Sequence, residues 1–437
     1  MVRPAGLLSN RYKLEDMPDL TGKVAVVVGG SRGIGEAATA ALIKKGAEVH
    51  IVSATGEHAS DAVEHIDSTT HSDVRSRLHT HLVDLGDLPA VISLFQDLAG
   101  SLPRLDMLFL IAGIGVAPFG LTKSGLGNHF GVNNVSQLAI TDVLYPLLKK
   151  TAEEKQGEPE EEMLSTRIVS ESSELHRGAP SDVRFESLEE MAEDKGPMKL
   201  YGMSKLGNIL FIRHLSSLLP GPTSPSPILA LSVHPGAVGT EQQAGASEAY
   251  GPLLGGIVEK AGETIFMTKE QGAESALWAG TGTSAVGRAK EVQGRYFTEA
   301  DGKVDTESNQ AKDDALAQRF WDLAVRALKE KAGYDRVHKS RAGATPVLFA
   351  DDQLIPDIFP LPRQSHDDRS PPRMFRRQSQ LLRKLEIEPE APIHTELRRT
   401  TLVILKSPDP PIKSVASSKP DMIPIPRSEH AIAESPS

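Results

Sequence analysis

Short apolar segments alternate with longer segments of helical spacing from residue 23 to about residue 333, and this alternation constrains the fold most strongly. The apolar segments are rich in β-branched residues and end in Gly, Ser, Pro or Asp, as strands buried in a parallel sheet do. Repetition of strand and helix predicts parallel pairing with right-handed crossovers, and therefore an α/β fold with a doubly wound, mostly parallel sheet. The predicted strands are 23–28, 48–52, 78–83, 108–111, 167–169, 228–233 and 294–297, and the predicted helices are 32–45, 88–98, 134–149, 198–219 and 313–329.

The composition changes near Gly333. Half of the 30 prolines lie beyond this point, mixed with Ser, Arg and Asp and without any long periodic pattern. Such a composition predicts a disordered tail over 334–437, after one domain over 20–333 and an N-terminal extension over 1–19. Within the tail, 378–385 could form a helix on a partner. An acidic segment at 151–163 is predicted to be a solvated surface loop.

The bulk composition excludes several classes of function. The 437 residues include no cysteine, which excludes disulfides, thiolate metal sites and cysteine nucleophiles. The formal net charge of -10 disfavours nucleic-acid and anionic-membrane binding. The first residues lack the apolar core of a signal peptide, and no uncharged apolar run approaches the ~18 residues of a membrane span. We therefore expect a soluble, cytoplasmic protein with no transmembrane segment and no nucleic-acid partner.

A glycine-rich turn, Val-Gly-Gly-Ser-Arg-Gly-Ile-Gly over 28–35, joins the first predicted strand to the first predicted helix. Glycines here permit a tight turn, let the backbone approach a pyrophosphate and let the helix pack close to the sheet. The helix N-terminus then offers free N–H groups to phosphate. The turn therefore predicts the dinucleotide site of a Rossmann-type sheet. The expected contacts are Gly29, Ser31, Arg32, Gly33, Ile34 and Gly35.

The end of the second predicted strand indicates which dinucleotide is bound. An acid there would bind a ribose 2′-hydroxyl, but the sequence has Ser53 followed by Ala54 and Thr55. Arg32 in the turn could meet a 2′-phosphate, or could be a solvated residue at the helix start. Both features favour NADP (NADPH) over NAD. Asp84, after the third strand, could accept from the adenine amino group or cap the next helix.

Tyr201 and Lys205 are four residues apart on a predicted helix and so share one face. A neighbouring ammonium stabilises a phenolate, which makes the pair a plausible general acid and base. Upstream, Ser172 and Ser173 end a predicted strand, where a hydroxyl could hydrogen-bond a substrate oxygen. Asn133 could hold a water that relays protons to Lys205.

The order and spacing of these residues resemble the short-chain dehydrogenase/reductase family, over about 20–333. The stretches around Ser173 and Tyr201 look most like its retinol-dehydrogenase-like branch and fungal relatives. The resemblance implies hydride transfer between NADP(H) and a carbonyl or alcohol carbon, with Tyr201 as acid/base and Lys205 supporting it. It also implies that Ser173, with Ser172 as fallback, positions the oxygen and that Asn133 supports the relay. Cofactor contacts implied in the same way are Gly113, Tyr201, Lys205, Pro235, Gly236, Val238 and Thr240.

The sequence also departs from that family. Val28 stands where Thr is usual, Ile111 where Asn is usual, and Ser170 where Asn is usual. The N-terminal apolar helix that anchors many retinol dehydrogenases is absent, which puts a membrane-embedded retinoid substrate in doubt. The segment 241–267, rich in Gly, Ala and Leu, is expected to be a lid over a small, moderately apolar substrate. By resemblance, the protein could form a homodimer or a tetramer.

Other interpretations remain open. His79 and His81 face the same side of a predicted strand, but two imidazoles without a third ligand make a poor metal site, so we expect no metal. His176 could touch the substrate. Trp278 and Trp321 are predicted to be core residues. The chain could also be a catalytically silent dinucleotide-binding regulator or scaffold, or act mainly through its tail. The complete set of Ser173, Asn133, Tyr201 and Lys205 favours an enzyme.

Overall fold

The computed structural model describes residues 12–70, 73–155, 166–224, 227–236, 238, 267–300 and 302–334. Several sequence predictions lie outside these residues. They are the N-terminal extension up to residue 11, the second part of the acidic segment, Thr240, nearly all of the expected lid, and the tail beyond residue 334.

Seven parallel strands form one sheet in the order β3-β2-β1-β4-β5-β6-β7. The strands are β1 (Val24–Val28), β2 (Glu48–Ser53), β3 (Leu78–Leu82), β4 (Met107–Leu110), β5 (Thr166–Glu171), β6 (Ile228–Val233) and β7 (Tyr296–Phe297). The order reverses between β1 and β4, and ligands of such sheets bind beyond the carboxyl ends of the strands at this reversal. The predicted α/β fold with a Rossmann-type sheet is confirmed.

In the described part of the chain, seven longer helices cover the two faces of the sheet. They are α1 (Gly33–Lys44), α2 (Gly56–Thr70), α3 (Leu88–Ser101), α4 (Ser136–Glu154), α5 (Pro197–Leu218), α6 (Lys269–Thr281) and α7 (Asp314–Ala332). All five predicted helices are present, whereas α2 and α6 were not predicted. Their buried positions are mostly small or polar, such as Ala59 and Ala62 on α2 and Gly272 and Ser275 on α6, so the apolar periodicity is weak.

The sheet separates two apolar layers. Alternate residues of each strand enter different layers, as Ile168 and Val169 of β5 do. One layer packs beneath α1 and α6 and contains Trp278, and the other packs beneath α3, α4, α5 and α7 and contains Trp321. Both tryptophans are buried, which confirms the core prediction. Among the described residues, no helix is both long and apolar enough to cross a bilayer.

The acidic segment differs from its prediction where the structure describes it. Helix α4 continues through Glu154, so the segment begins as a helical turn and not as a loop. The next residue, Lys155, is buried, and its Nζ lies 2.8 Å from Asp106 Oδ1. The buried carboxylate of Asp106 therefore holds the chain against the protein interior at Lys155. Residues 156–163 lie outside the described part.

Candidate active site

A cleft of about 910 Å³ opens at the carboxyl ends of β1, β2 and β4, where the strand order reverses. Its volume is near the upper end of the range for small-molecule sites. The cleft brings together nine of the predicted cofactor residues: Gly29, Ser31, Arg32, Gly33, Ile34, Gly35, Ser53, Asp84 and Gly113.

The glycine turn packs so closely against neighbouring backbone that side chains at its glycines would clash, which leaves open space beside the turn. Gly29 has a φ of +88°, and a Cβ there would lie 2.7 Å from the Ala112 nitrogen. A Cβ on Gly35 would lie 2.0 Å from the Gly29 carbonyl oxygen. Only glycine permits this close packing of the turn against the start of α1, whose N–H groups then face the cleft. These residues fit a pyrophosphate.

Polar groups line the β2 side of the cleft. Ser31 Oγ donates to Ser53 Oγ at 2.9 Å, and Ser53 Oγ donates to the Thr55 carbonyl at 3.0 Å. Arg32 is exposed at the start of α1 and lines the same cleft. A cation beside two hydroxyls suits a phosphate monoester better than a bare ribose hydroxyl.

Asp84 lines the cleft but does not cap the following helix. Its Oδ1 accepts from the Gly86 N–H at 2.8 Å, and Lys123 Nζ lies 3.3 Å from its Oδ2. The N-cap of α3 is Asp87, which accepts from the Ala90 N–H at 3.2 Å. Of the two alternatives, only the adenine contact stays open, and it remains a prediction.

Tyr201 and Lys205 lie one turn apart on α5, with the Lys205 ammonium 5.7 Å from the centre of the Tyr201 ring. Lys205 is 3% exposed, and its Nζ donates to the Glu171 carbonyl at 3.1 Å. An ammonium has three hydrogens, and the described residues supply no second acceptor and no carboxylate partner. Glu171 lines the end of the cleft, and Lys205 contacts this lining through the Glu171 carbonyl, whereas Tyr201 is not among the lining residues. The ammonium can therefore donate to a ligand as well as to the protein.

A hydrogen-bond network fixes α5 against the end of β5 and the residues just before α4. Ser172 Oγ donates to the Lys205 carbonyl at 2.6 Å, and Asn208 Nδ2 donates to the Glu171 carbonyl at 2.8 Å. Asn134 Nδ2 donates to the Ser204 carbonyl at 2.8 Å and to Asn208 Oδ1 at 2.6 Å. Sequence reasoning missed these amides. Their signal was polarity at buried positions of otherwise apolar helices.

Asn133 is completely buried in a π-helical turn, Gly131–Val135, that precedes α4. Such turns are frequent at functional sites. Its Oδ1 accepts from the Ile114 N–H at 2.7 Å, and its Nδ2 donates to the Ile114 carbonyl at 3.0 Å and to Ser204 Oγ at 2.9 Å. Both amide hydrogens are used, and Oδ1 keeps one lone pair. The side chain therefore joins the loop after β4 to α5, and its relay role stays a prediction.

The two adjacent serines differ in what their hydroxyls do. Ser172 spends its hydrogen on the Lys205 carbonyl, whereas Ser173 Oγ accepts from the Leu175 N–H at 3.2 Å and keeps its hydrogen. This difference favours Ser173 as the donor to a substrate oxygen. His176 is buried, with Nδ1 2.7 Å from the Ser173 carbonyl and Nε2 accepting from the Ser308 N–H at 3.1 Å. Both of its ring nitrogens are engaged within the protein and are not directed at a substrate.

The chain after β6 returns toward the glycine turn. Gly236, which follows Pro235, has a φ of +85°, and a Cβ there would lie 2.5 Å from Met267 Sδ. Val238 pairs with Met267 in a parallel bridge. A Cβ on Gly272 of α6 would meet both Val238 Cγ2, at 2.4 Å, and Ile34 Cγ1, at 3.1 Å. Val238 is thereby placed next to Ile34 at the cleft.

His129 is a further residue that sequence reasoning did not single out. Its ring meets the Tyr201 ring edge-on, with centroids 6.5 Å apart. Nε2 lies 2.8 Å from the Gly115 carbonyl, so the imidazole joins the loop after β4 to the wall beside Tyr201. Burial, and less strongly the Lys205 charge, lowers the pKa of His129, which keeps the ring neutral.

Glu171 was also missed by sequence reasoning, and it is the buried acid of the cleft. It is 8% exposed, and its Oε2 has no hydrogen-bond partner among the described residues. Burial raises the pKa of Glu171 to about 7, and the Lys205 ammonium opposes this rise. The signal in the sequence was an acid that ends a strand of otherwise buried residues.

We expect Glu171→Gln to stabilise the protein most at high pH. The Glu171 carboxyl has a pKa of about 7 in the folded protein, against an ordinary value of 4.5. At a pH between these two values, the folded protein therefore keeps a proton that the unfolded chain has released. Stability therefore falls as pH rises through that window, and the amide removes this loss. We expect the difference in Tm between variant and wild type to grow by roughly 5 °C from about pH 5 to about pH 8, measured by calorimetry. The exposed Glu57→Gln is the control, and a constant difference would contradict the assignment.

The first part of the chain matches the family model for short chain dehydrogenases, over residues 23–158. The bli-4 protein of Neurospora crassa, named as a mitochondrial oxidoreductase, is 32% identical to this chain over 323 residues. The match covers 73% of this chain and 75% of that protein. The short chain dehydrogenase/reductase dpchH of Colletotrichum higginsianum is 28% identical, and the match covers 76% of this chain and 81% of dpchH. Human retinol dehydrogenase 14 is 28% identical, with coverage of 69% and 85%.

A solved structure shares the fold. The crystal structure of an uncharacterised protein from Mycobacterium Paratuberculosis aligns with a TM-score of 0.52 and 23% identity, over 73% of this chain and 98% of that chain. At this identity the likeness concerns the architecture alone.

Proposed function

Because the chain belongs to the short-chain dehydrogenase/reductase family, and is therefore an oxidoreductase of that family, we propose that it interconverts a carbonyl and an alcohol with NADP(H) as cofactor and Tyr201 as acid/base. The observation that carries the proposal is the Lys205 ammonium. It is buried one turn from Tyr201, beside the cleft, and has hydrogens that the described residues do not use. A buried cation without an ion-pair partner is costly in a protein interior, which argues for a ligand there.

Each catalytic group has a defined task in this proposal. The glycine turn would hold NADPH, which would supply the hydride when bound. The Ser173 hydroxyl donates to the substrate oxygen and holds it beside Tyr201. The Tyr201 hydroxyl passes its proton to that oxygen as negative charge develops there, and Lys205 stabilises the resulting phenolate.

The remaining residues bind and orient. Lys205 would donate a second hydrogen bond to the nicotinamide ribose. Asn133, which is linked to α5 through Ser204, keeps the helix in place and leads protons back toward Tyr201. Pro235, Gly236 and Val238 would hold the nicotinamide end of the cofactor, and Thr240, which lies outside the described residues, remains a predicted contact there. For the reverse direction each proton step runs backward through the same groups.

We expect Arg32→Ala to weaken the use of NADPH selectively. A charge-assisted hydrogen bond to a 2′-phosphate contributes about 1.5–3 kcal/mol, so kcat/KM for NADPH should fall roughly 10- to 100-fold. The value for NADH should change less than about threefold, since NADH lacks that phosphate. Lys44→Ala, at the far end of α1, is the control of equal charge. Equal losses with both cofactors would refute the role of Arg32.

The direct test of the function is a panel of carbonyls and alcohols with NADPH or NADP, followed by the absorbance of the reduced nicotinamide. We expect turnover of small, moderately apolar compounds and a preference for NADPH over NADH. A dinucleotide-binding regulator or scaffold would bind NADPH without consuming it on any member of the panel. Deletion of 335–437 should leave turnover unchanged if the tail is not part of the catalytic unit.

We also propose a cytoplasmic location and a homodimer or tetramer. The mitochondrial label of the Neurospora crassa relative makes the location worth testing by fractionation and imaging of the full chain. Sedimentation of the purified chain tests the oligomeric state.

A further inference from the structure

Four side chains with metal-binding atoms meet at an edge of the sheet, and none of them lines the dinucleotide cleft. Glu48 and His50 lie two apart on β2, and His79 and His81 lie two apart on the edge strand β3. His50 is directly opposite His79 in the strand register, so all four project from the same face. The sequence showed only the two imidazoles of β3 together, because the neighbouring strand supplies the other two side chains, Glu48 and His50.

The distances among three of these groups match those of a metal site. Glu48 Oε1 lies 3.1 Å from His50 Nε2 and 3.4 Å from His79 Nε2, and the ligand atoms of all three are within 4.8 Å of one another. Tetrahedral zinc with bonds of 2.0–2.2 Å separates neighbouring ligand atoms by about 3.3–3.5 Å. The His79 ring stacks on that of His50, with centroids 4.5 Å apart. The His79 side chain is 40% exposed. It can therefore turn about its Cβ–Cγ bond and bring its Nε2 closer to His50 Nε2, so that both atoms can bind the same ion.

His81 completes the arrangement from behind His50. Its Nε2 lies 3.0 Å from His50 Nδ1, so it can accept the Nδ1 hydrogen and leave the Nε2 lone pair of His50 facing Glu48 and His79. Metal-binding histidines are commonly held in one tautomer by such a second hydrogen bond.

The charge of Glu48 favours a cation over a chain of hydrogen bonds alone. Across the described ranges, the ion-pair partners of this carboxylate are His50 and His79, and no Lys or Arg is among them. A chain from His81 through His50 to Glu48 would satisfy the hydrogen bonds, but it would leave the carboxylate beside imidazoles without a cation.

We propose that Glu48, His50 and His79 bind one zinc ion, with His81 as the hydrogen-bond acceptor behind His50 and water at the fourth position. Two imidazoles, one carboxylate and an open position form a known type of zinc site. The ion would join the edge strand β3 to β2 and stabilise that end of the sheet. This site is independent of the proposed oxidoreductase function.

The test uses the full chain, freed of any affinity tag and stripped with a chelator, and zinc alone as the probe. We expect one zinc per chain in competition with a chromogenic chelator, a Kd below about 10 µM, and a Tm that rises by several degrees with zinc. Glu48→Gln and His79→Asn, both at half-exposed positions, should each weaken binding at least about tenfold and abolish the Tm rise. His81→Gln should weaken binding without lowering the stoichiometry at saturating zinc.

The control is His58→Gln, which removes a histidine of α2 outside the cluster and should leave zinc binding unchanged. Two results would overturn the proposal. One is that the wild type takes up no zinc under these conditions. The other is that uptake persists with unchanged affinity in Glu48→Gln and His79→Asn, which would place the bound zinc elsewhere.

Discussion

Tyr201→Phe should lower kcat by about a thousandfold, because removal of a positioned general acid costs about 10²–10⁴ in rate. The ring remains, and its edge-on contact with His129 needs no hydroxyl, so the fold should persist. The affinity for NADPH should stay within about threefold of wild type, since the glycine turn that supports the phosphates is untouched. Steady-state turnover and titration of NADPH binding measure the two effects separately.

Tyr12→Phe is the matched control, because the Tyr12 hydroxyl bonds Thr281 Oγ1, a residue that does not line the cleft. We expect its turnover to equal that of the wild type. A Tyr201→Phe enzyme that keeps full turnover would show that another group carries the proton, and the assignment of the acid/base would then be wrong.

Lys205→Met should lower kcat by at least about a hundredfold and weaken dinucleotide binding by about tenfold, without lowering the Tm. The ammonium is 3% exposed and has one acceptor among the described residues, the Glu171 carbonyl. Its loss removes the charge that stabilises the Tyr201 phenolate and a donor to the nicotinamide ribose. Stability should hold, because the loss of one hydrogen bond, about 1 kcal/mol, is offset by no longer burying a charge.

Lys199→Met, an exposed lysine one and a half turns earlier on the same helix, is the control and should keep full activity and Tm. The combination of lost activity with retained stability separates a catalytic role from a structural one. If Lys205→Met unfolded, the ammonium would be a structural element of the core. If it kept its turnover, Lys205 would have no part in the chemistry.

The parts of the fold and site that could be predicted are those that local sequence determines. The turn around Gly29 and Gly35 was predictable because close backbone packing excludes a Cβ there, and this constraint acts on single residues. Most of the strands were predictable because they are short, apolar and buried on both faces, as β1 and β6 are. Tyr201 and Lys205 were predictable as neighbours because a helix sets their spacing.

The parts that could not be predicted depend on contacts distant in sequence. Glu171 becomes a buried acid of the cleft because it ends β5 beside Lys205, 34 residues away. His50 and His79 meet because β2 and β3 pair in one register, which single strands do not specify. The start of the acidic segment, up to residue 155, was misjudged because Asp106 holds Lys155 inside, a pairing that charge patterning alone does not reveal.

The most direct measurement of the central claim is the transfer of deuterium from NADPH, labelled at its transferable carbon, to a carbonyl substrate drawn from the panel. If the dinucleotide lies along the glycine turn, the wild type should place deuterium on the new alcohol carbon. If Tyr201 protonates the oxygen, Tyr201→Phe should transfer deuterium about a thousandfold more slowly. An alcohol product without deuterium, or a chain that binds no NADPH, would contradict the account.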